Sequence, residues 1–118
     1  MTSILLVFRS TPSGSLRARE GIDAALLFSA FVPQLSVLFS GDGVWQLLAG
    51  QQPDAIDAAP VASVIAAFPE YDITAIHADA AALAARGIEP ARLIAGVRPV
   101  DDNAIRELLA RHDHVLTF

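Results

Sequence analysis

The sequence predicts an α/β fold, a three-layer α/β/α sandwich with a five-stranded, mainly parallel sheet. Five short apolar runs of strand length alternate along the chain with segments of helical periodicity. This alternation is typical of parallel strands joined by right-handed crossovers, with helices on both faces of the sheet. The 118 residues suit one domain and contain no internal repeat or linker, so we expect a single domain over residues 1–118.

The first half of the chain contains two predicted strands. Residues 3–8 (SILLVF) are predicted as the first strand, since five apolar residues follow Ser3, and residues 9–15 (RSTPSGS) have the composition of a loop. Residues 16–31 show the pattern of a helix, which Pro33 ends. Residues 35–40 (LSVLFS) are rich in branched and aromatic side chains, which favours a second strand that is buried.

A glycine-rich turn and a short apolar helix follow the second strand. Gly41 and Gly43 give the backbone freedom to turn, and Asp42 is placed to cap the next helix. That helix carries a dense apolar set: Val44, Trp45, Leu47 and Leu48. Residues 50–54 (GQQPD) end it sharply. Because a sheet covers only one side of such a helix, the remaining apolar surface needs another partner.

The second half of the chain contains three further strands separated by helices. The predicted strands cover residues 73–78, 93–97 and 114–118. The predicted helices cover residues 61–68, 79–86 and 101–111. Pro69 and Gly87 end the first two of these helices, and Asp101 or Asp102 caps the third.

Composition excludes several classes of function. The chain has no cysteine, which rules out disulfides, thiolate metal sites and a thiol that carries persulfide on this chain. A net charge of −5 without a basic run argues against direct binding of nucleic acid or of an anionic membrane surface. No stretch approaches the roughly 18–20 apolar residues of a membrane span, and no signal-peptide pattern is present. We therefore expect a soluble, cytoplasmic protein.

The helix predicted over residues 16–31 is apolar around most of its circumference, with its charges confined to the first turns. Such a helix is normally covered on two sides, and in a domain of this size one cover is expected to be another subunit. Together with the apolar helix after Gly43, it predicts obligate assembly. The residues predicted to contact another subunit are Leu27, Phe28, Phe31, Val44, Trp45 and Leu48.

Ligands of open parallel sheets bind where the carboxyl ends of the strands meet loops, which here are residues 9–15, residues 41–43 and Asp79. Residues 11–14 (TPSG) could hold an anion at a helix start, but they lack the glycine patterns of nucleotide sites, so a plain turn is the alternative. Residues 40–43 (SGDG) lack the pattern of a hydrolase nucleophile elbow.

The three histidines invite a metal interpretation. His112 and His114 are close in sequence, and His77 with Asp79 offers further ligands. Their spacing matches no established metal motif, however, and His112 suits the basic end of a helix. We expect neither a metal nor a cofactor.

Several segments together resemble the TusC/DsrF branch of the DsrE-like sulfur-relay family. They cover residues 19–24 (REGIDA), 42–51 (DGVWQLLAGQ), 53–55 (PDA), 71–73 (YDI) and 86–88 (RGI), with an aromatic strand that ends at Phe118. The run over residues 42–51 is the most specific of these, and with residues 53–55 it is closer to TusC than to DsrF.

The resemblance implies a five-stranded parallel α/β/α domain that assembles with TusB-like and TusD-like sister subunits into a heterohexamer. In that complex the TusD-like subunit accepts persulfide sulfur from a TusA-like carrier. A TusE-like protein then passes the sulfur to the thiouridylase that makes 2-thiouridine at the tRNA wobble position.

The resemblance also places Asp79 where the sulfur-carrying sisters have their acceptor cysteine, directly before a helix. A carboxylate cannot accept sulfane sulfur, because exchange needs a sulfur nucleophile. We therefore expect Asp79 to cap the helix and the chain to be a non-catalytic subunit. Two alternatives stay open: a DsrF-like subunit in dissimilatory sulfur oxidation, and a free-standing α/β protein that binds a small ligand at residues 11–14 and 41–43.

Overall fold

A computed structural model describes residues 2–13, 16–50 and 61–118 of the chain. Its strands are β1 (Ser3–Phe8), β2 (Gln34–Phe39), β3 (Ala75–Asp79), β4 (Arg98–Val100) and β5 (His114–Thr117). Its α-helices are α1 (Arg17–Ser29), α2 (Val61–Ala66), α3 (Ala80–Ala85) and α4 (Asp102–Arg111). Short 3₁₀ helices cover Gly41–Leu47, Phe68–Tyr71 and Pro90–Arg92.

The five strands form one parallel sheet in the order β4-β3-β2-β1-β5. The chain moves outward from β1 to β4 and then crosses back to place β5 on the other side of β1. The prediction of an α/β fold with a five-stranded parallel sheet is thus confirmed.

The two faces of the sheet are covered unequally. Leu6, Val37 and Ile76 align across β1, β2 and β3 and belong to a large core that α1, α2, α3 and the Gly41–Leu47 helix complete. On the opposite face a smaller cluster contains Leu5, Val7 and Leu38 of the sheet and Leu108 of α4. Beside this cluster, all four residues of β5 are exposed, so the edge of the sheet at β5 stays open to solvent.

The fourth strand lies later in the chain than predicted. Residues 93–97 were predicted to form it, but β4 is Arg98–Val100, and Leu93 makes only an isolated antiparallel bridge with Leu48. Gly96 has a φ of 88°, which turns the chain before β4 begins. The apolar side chains of residues 93–97 signalled burial, but they pack against the large core from a connection rather than from a strand.

The apolar segment after β2 is a 3₁₀ helix over Gly41–Leu47, which begins before Gly43 and not after it as predicted. Within the predicted stop over residues 50–54, Gly50 has a φ of 76°, and residues 51–54 lie outside the described residues. At the other end of the chain, Asp101 is the cap of α4, because its carboxylate accepts a hydrogen bond from the Ala104 N–H at 2.9 Å.

Two of the six predicted subunit-contact residues need correction. The side chains of Val44 and Leu48 are 0% and 8% exposed and pack inside the chain's own core, so they offer no surface to another subunit. The Gly41–Leu47 helix contacts both α2 and α3, and these helices help to bury the two side chains. No helix in the described ranges is long and apolar enough to cross a membrane.

The other four predicted contact residues reach the surface to different degrees. Leu27 and Phe31 are 62% and 76% exposed, whereas Phe28 and Trp45 are half-buried against the large core. Leu27 lies in the last turn of α1, and Phe31 lies in the turn that follows the helix, where its N–H donates to the Phe28 carbonyl oxygen at 2.9 Å. We call this pair the α1 patch.

Candidate functional site

The carboxyl ends of β1, β2 and β3 meet at one edge of the sheet, where the predicted loop sites lie. The Ser40 N–H donates to the Phe8 carbonyl oxygen (3.0 Å), and the Gly43 N–H donates to the Ser40 carbonyl oxygen (2.9 Å). The Gln46 side chain is fully buried, and its Nε2 donates to the Ser10 carbonyl oxygen (2.8 Å). The segment that carried the most specific part of the resemblance therefore holds the ends of β1 and β2 together.

The predicted anion cradle over residues 11–14 lies partly outside the described residues, and the described part forms a local turn. The Thr11 hydroxyl donates to the Ser13 carbonyl oxygen at 2.6 Å, which is the bond of a local turn. Gly14 and Ser15 lie outside the described residues.

Asp79 ends β3 and begins α3. Its Oδ1 accepts hydrogen bonds from the Ala81 N–H (3.0 Å) and the Ala82 N–H (3.4 Å), so the predicted capping role is confirmed. These bonds satisfy two of the N–H groups that a helix start leaves without partners, and they favour a negative charge there. The same geometry would favour a thiolate at this position, but Asp79 supplies a carboxylate instead.

We expect Asp79→Ala to lower the free energy of unfolding by about 1 kcal/mol, because α3 loses its only side-chain cap. Urea denaturation of the purified chain measures this change. Asp79→Asn keeps an acceptor oxygen and should retain most of the stability. Equal losses in both variants would show that the charge, and not the capping bond, stabilises the helix start.

Asp42 does not cap a helix as predicted, because it pairs with α3 instead. Both Nε and Nη2 of Arg86 donate to Asp42 Oδ1, at 3.2 and 2.9 Å, and Arg86 Nη1 donates to the Ala82 carbonyl oxygen. The 3₁₀ helix that contains Asp42 has no side-chain cap. This partly exposed ion pair links that helix to the end of α3, the helix that Asp79 caps.

The four predicted metal-ligand candidates do not converge. His112 Nδ1 donates to the Leu108 carbonyl oxygen (2.6 Å), and Nε2 lies 3.0 Å from the Ser36 hydroxyl. His114 opens β5, on the far side of the sheet from β3. Among residues 2–13, 16–50 and 61–118, no three histidine, cysteine or acidic side chains are grouped as metal ligands would be.

His77 instead lies at the floor of a cavity beside α4. Its side chain is 8% exposed, and neither ring nitrogen has a hydrogen-bond partner. The cavity measures about 210 Å³. Its lining comes from β3, β4 and α4: His77, Arg98, Val100, Ala104, Glu107, Leu108 and Arg111.

Burial lowers the pKa of His77 below its ordinary value, and the positive charges of Arg98, Arg111 and His112 lower that pKa further. The sequence singled out His77 only as a possible metal ligand and missed this cavity. Two features of the sequence could have pointed to it. His77 is a polar residue within the strand, and Asp79 lies two positions later, on the same face of the strand.

This pKa predicts how stability depends on pH. Between the lowered folded-state pKa and 6.5, the unfolded chain binds more protons than the folded chain, so the free energy of unfolding falls as pH drops from 7 toward 5. We expect His77→Gln to be less sensitive to pH over this range than the wild type. Denaturation curves at pH 7 and pH 5 test it, and identical pH dependence in both proteins would contradict it.

Comparison with known proteins places this architecture in a family. The structure superposes on the crystal structure of the ychN protein from E. coli with a TM-score of 0.87 over 100% of both chains, at 21% sequence identity. It also superposes on a conserved protein of unknown function from Bacteroides thetaiotaomicron, with a TM-score of 0.68 and 15% identity, covering 98% of this chain and 95% of the other. Both likenesses concern the fold. The sequence itself matches the DsrE/DsrF-like family over residues 2–118, and the chain belongs to that family.

Proposed function

We propose that this chain is a TusC-like, non-catalytic subunit of a sulfur-relay complex and supports a sister subunit that carries the acceptor cysteine. Membership of the DsrE/DsrF-like family indicates a role related to sulfur relay. In the proposed heterohexamer the sisters are TusB-like and TusD-like, and a TusA-like donor and a TusE-like acceptor deliver and remove the sulfur. The product of that relay is 2-thiouridine at the tRNA wobble position.

The observation that carries this proposal is the chemistry at Asp79. This residue stands at the junction of β3 and α3, and its carboxylate is engaged by two backbone N–H groups. A carboxylate cannot form a persulfide, and the 118 residues offer no other thiol. A member of a sulfur-relay family with this composition is suited to hold and orient a partner rather than to carry sulfur.

The α1 patch supplies a surface for such a partner. An exposed leucine at the end of α1 and an exposed phenylalanine in the turn after it leave apolar area in water that contact with another subunit would bury. Phe28, half-buried between this patch and the core, would extend the contact inward.

Co-expression tests the assembly. The chain is produced with an affinity tag together with the TusB-like and TusD-like proteins encoded in the same genome, and the purified material is sized and weighed by native mass spectrometry. We expect one stable assembly that contains all three chains. After incubation with a persulfide-loaded TusA-like donor, we expect added sulfur on the TusD-like chain and none on this one.

Substitutions locate the contact. The double variant Leu27→Glu/Phe31→Glu should fail to co-purify with the sisters while its circular dichroism stays native, because both side chains are exposed. Leu109→Glu is the control, since it places one such charge on an exposed leucine of α4 across the sheet, and the single variant Leu27→Glu is its charge-matched counterpart on the α1 patch. Failure of the wild-type chain to co-purify, or transfer of sulfur to it, would overturn the proposal.

A further inference from the structure

We propose that the cavity between α4 and the β3–β4 side of the sheet binds a small oxyanion. The site consists of His77 at the floor and of Arg98 and Arg111 in the lining. It is separate from the α1 patch, and nothing in the proposed sulfur relay requires it. The proposal therefore stands or falls independently of the proposed function.

The buried ring of His77 lacks hydrogen-bond partners. Buried side-chain nitrogens are nearly always hydrogen-bonded, yet both ring nitrogens of His77 are buried without a partner. A neutral imidazole has one N–H that donates and one nitrogen that accepts. The ring borders a cavity of about 210 Å³, so a molecule bound in that cavity lies beside the ring, and a small shift of the lining lets it supply the missing partner.

The lining of the cavity carries more positive than negative charge. Arg98 enters from β4 and Arg111 from the end of α4, and both are exposed. Within the described ranges neither guanidinium takes part in a hydrogen bond or an ion pair. Glu107 is the one acidic group of the lining, so the cavity carries a net positive charge and selects an anion over a neutral solute.

The fold brings the three side chains to one face of the sheet. His77 and Arg98 are direct partners in the parallel register of β3 and β4, so their side chains rise from the same face of the sheet. Helix α4 crosses that face and adds Arg111. Guanidinium groups bind oxyanions through paired N–H donors, and the unpartnered imidazole lies beside them in the same lining.

The same chemistry fits a free inorganic oxyanion or the phosphoryl group of a small metabolite. Calorimetric titrations of the purified chain, alone or with the subunits that co-purify with it, use inorganic phosphate in one arm and glycerol 3-phosphate in the other. We expect saturable binding. Similar affinities identify a free oxyanion, whereas an affinity for the ester about tenfold higher or more identifies a phosphorylated metabolite.

Variants assign the binding to the cavity. Arg98→Gln/Arg111→Gln should weaken binding by about tenfold or more, because two charge-assisted donors are lost from exposed positions that do not carry the fold. Arg106→Gln, which removes one charge from α4 outside the lining, should change affinity less than about twofold, whereas the charge-matched single variant Arg111→Gln should weaken binding more. In parallel, phosphate should shift the ring resonances of His77 in nuclear magnetic resonance spectra.

Either of two results overturns the proposal. One is the absence of saturable binding with both probes, which would mean that only water occupies the cavity. The other is binding that the Arg98→Gln/Arg111→Gln variant and the Arg106→Gln control weaken equally, which would mean that general surface charge attracts the anion.

Discussion

Gly43→Ala is expected to lower the free energy of unfolding by about 3 kcal/mol or more, which would leave the chain largely unfolded or rearranged at that edge. A Cβ at this position would lie 1.9 Å from the Phe8 carbonyl oxygen and 2.6 Å from its carbonyl carbon. These are backbone atoms at the end of β1, and the Phe8 carbonyl already accepts a hydrogen bond from the Ser40 N–H. Neither the end of β1 nor the Gly41–Leu47 helix can move away without breaking the pairing of β1 with its neighbours.

Urea denaturation compares this variant with Gly87→Ala. Gly87 has a φ of 65°, but a Cβ there would meet no atom within 4 Å, so alanine pays only for the strained backbone, about 1 kcal/mol. The difference between the two variants isolates the clash with β1. Equal stabilities would mean that the Gly41–Leu47 helix can shift away from β1, and the account of this edge would be wrong.

Phe8→Ala is expected to cost about 3–5 kcal/mol of the free energy of unfolding. Phe8 is fully buried, and its ring stacks on that of Phe39 with 4.6 Å between the centroids. The centroid of the Phe118 ring lies 6.0 Å from that of Phe8. A Cβ on Gly21 of α1 would lie 2.5 Å from the Phe8 ring. Phe39 of β2, Phe118 just after β5 and Gly21 of α1 therefore surround one side chain, and its loss leaves a cavity that they cannot fill.

Phe31→Ala provides the matched control, since it removes the same ring from an exposed position. We expect this change to alter the stability of the isolated chain by less than about 0.5 kcal/mol, because the ring is already in water. Thermal or urea denaturation of both variants gives the comparison. A large loss for Phe31→Ala would show that the α1 patch stabilises the chain itself, which would weaken its assignment as a subunit contact.

The parts of the fold that sequence predicted correctly have local causes. The bounds of β1 agree with the predicted residues 3–8, because Ser3 precedes a run of five apolar residues and polar loop residues follow it, which marks both ends of a buried strand. The start of α4 follows from Asp101, whose side chain bonds to a backbone group three residues later. The capping role of Asp79 follows from the same local geometry.

Predictions failed where a distant segment decides the environment. The apolar pattern of Val44 and Leu48 is the same whether they face a sister subunit or the chain's own core. The structure places them in the core because α2 and α3 approach from later in the sequence. Residues 93–97 were likewise apolar enough for a strand, but the hydrogen-bonding edge of β3 is occupied by Arg98–Val100 instead.

The sequence by itself determined most of the element types, the strand–helix alternation that implies a parallel sheet, and the absence of a thiol among these 118 residues, since each depends on composition or on neighbours within a few positions. Only the tertiary structure decided that His77, Arg98 and Arg111 line one cavity. Strand register aligns the first two, and the crossing of α4 brings the third. Both depend on how the whole chain buries its apolar surface, which no short stretch of sequence records.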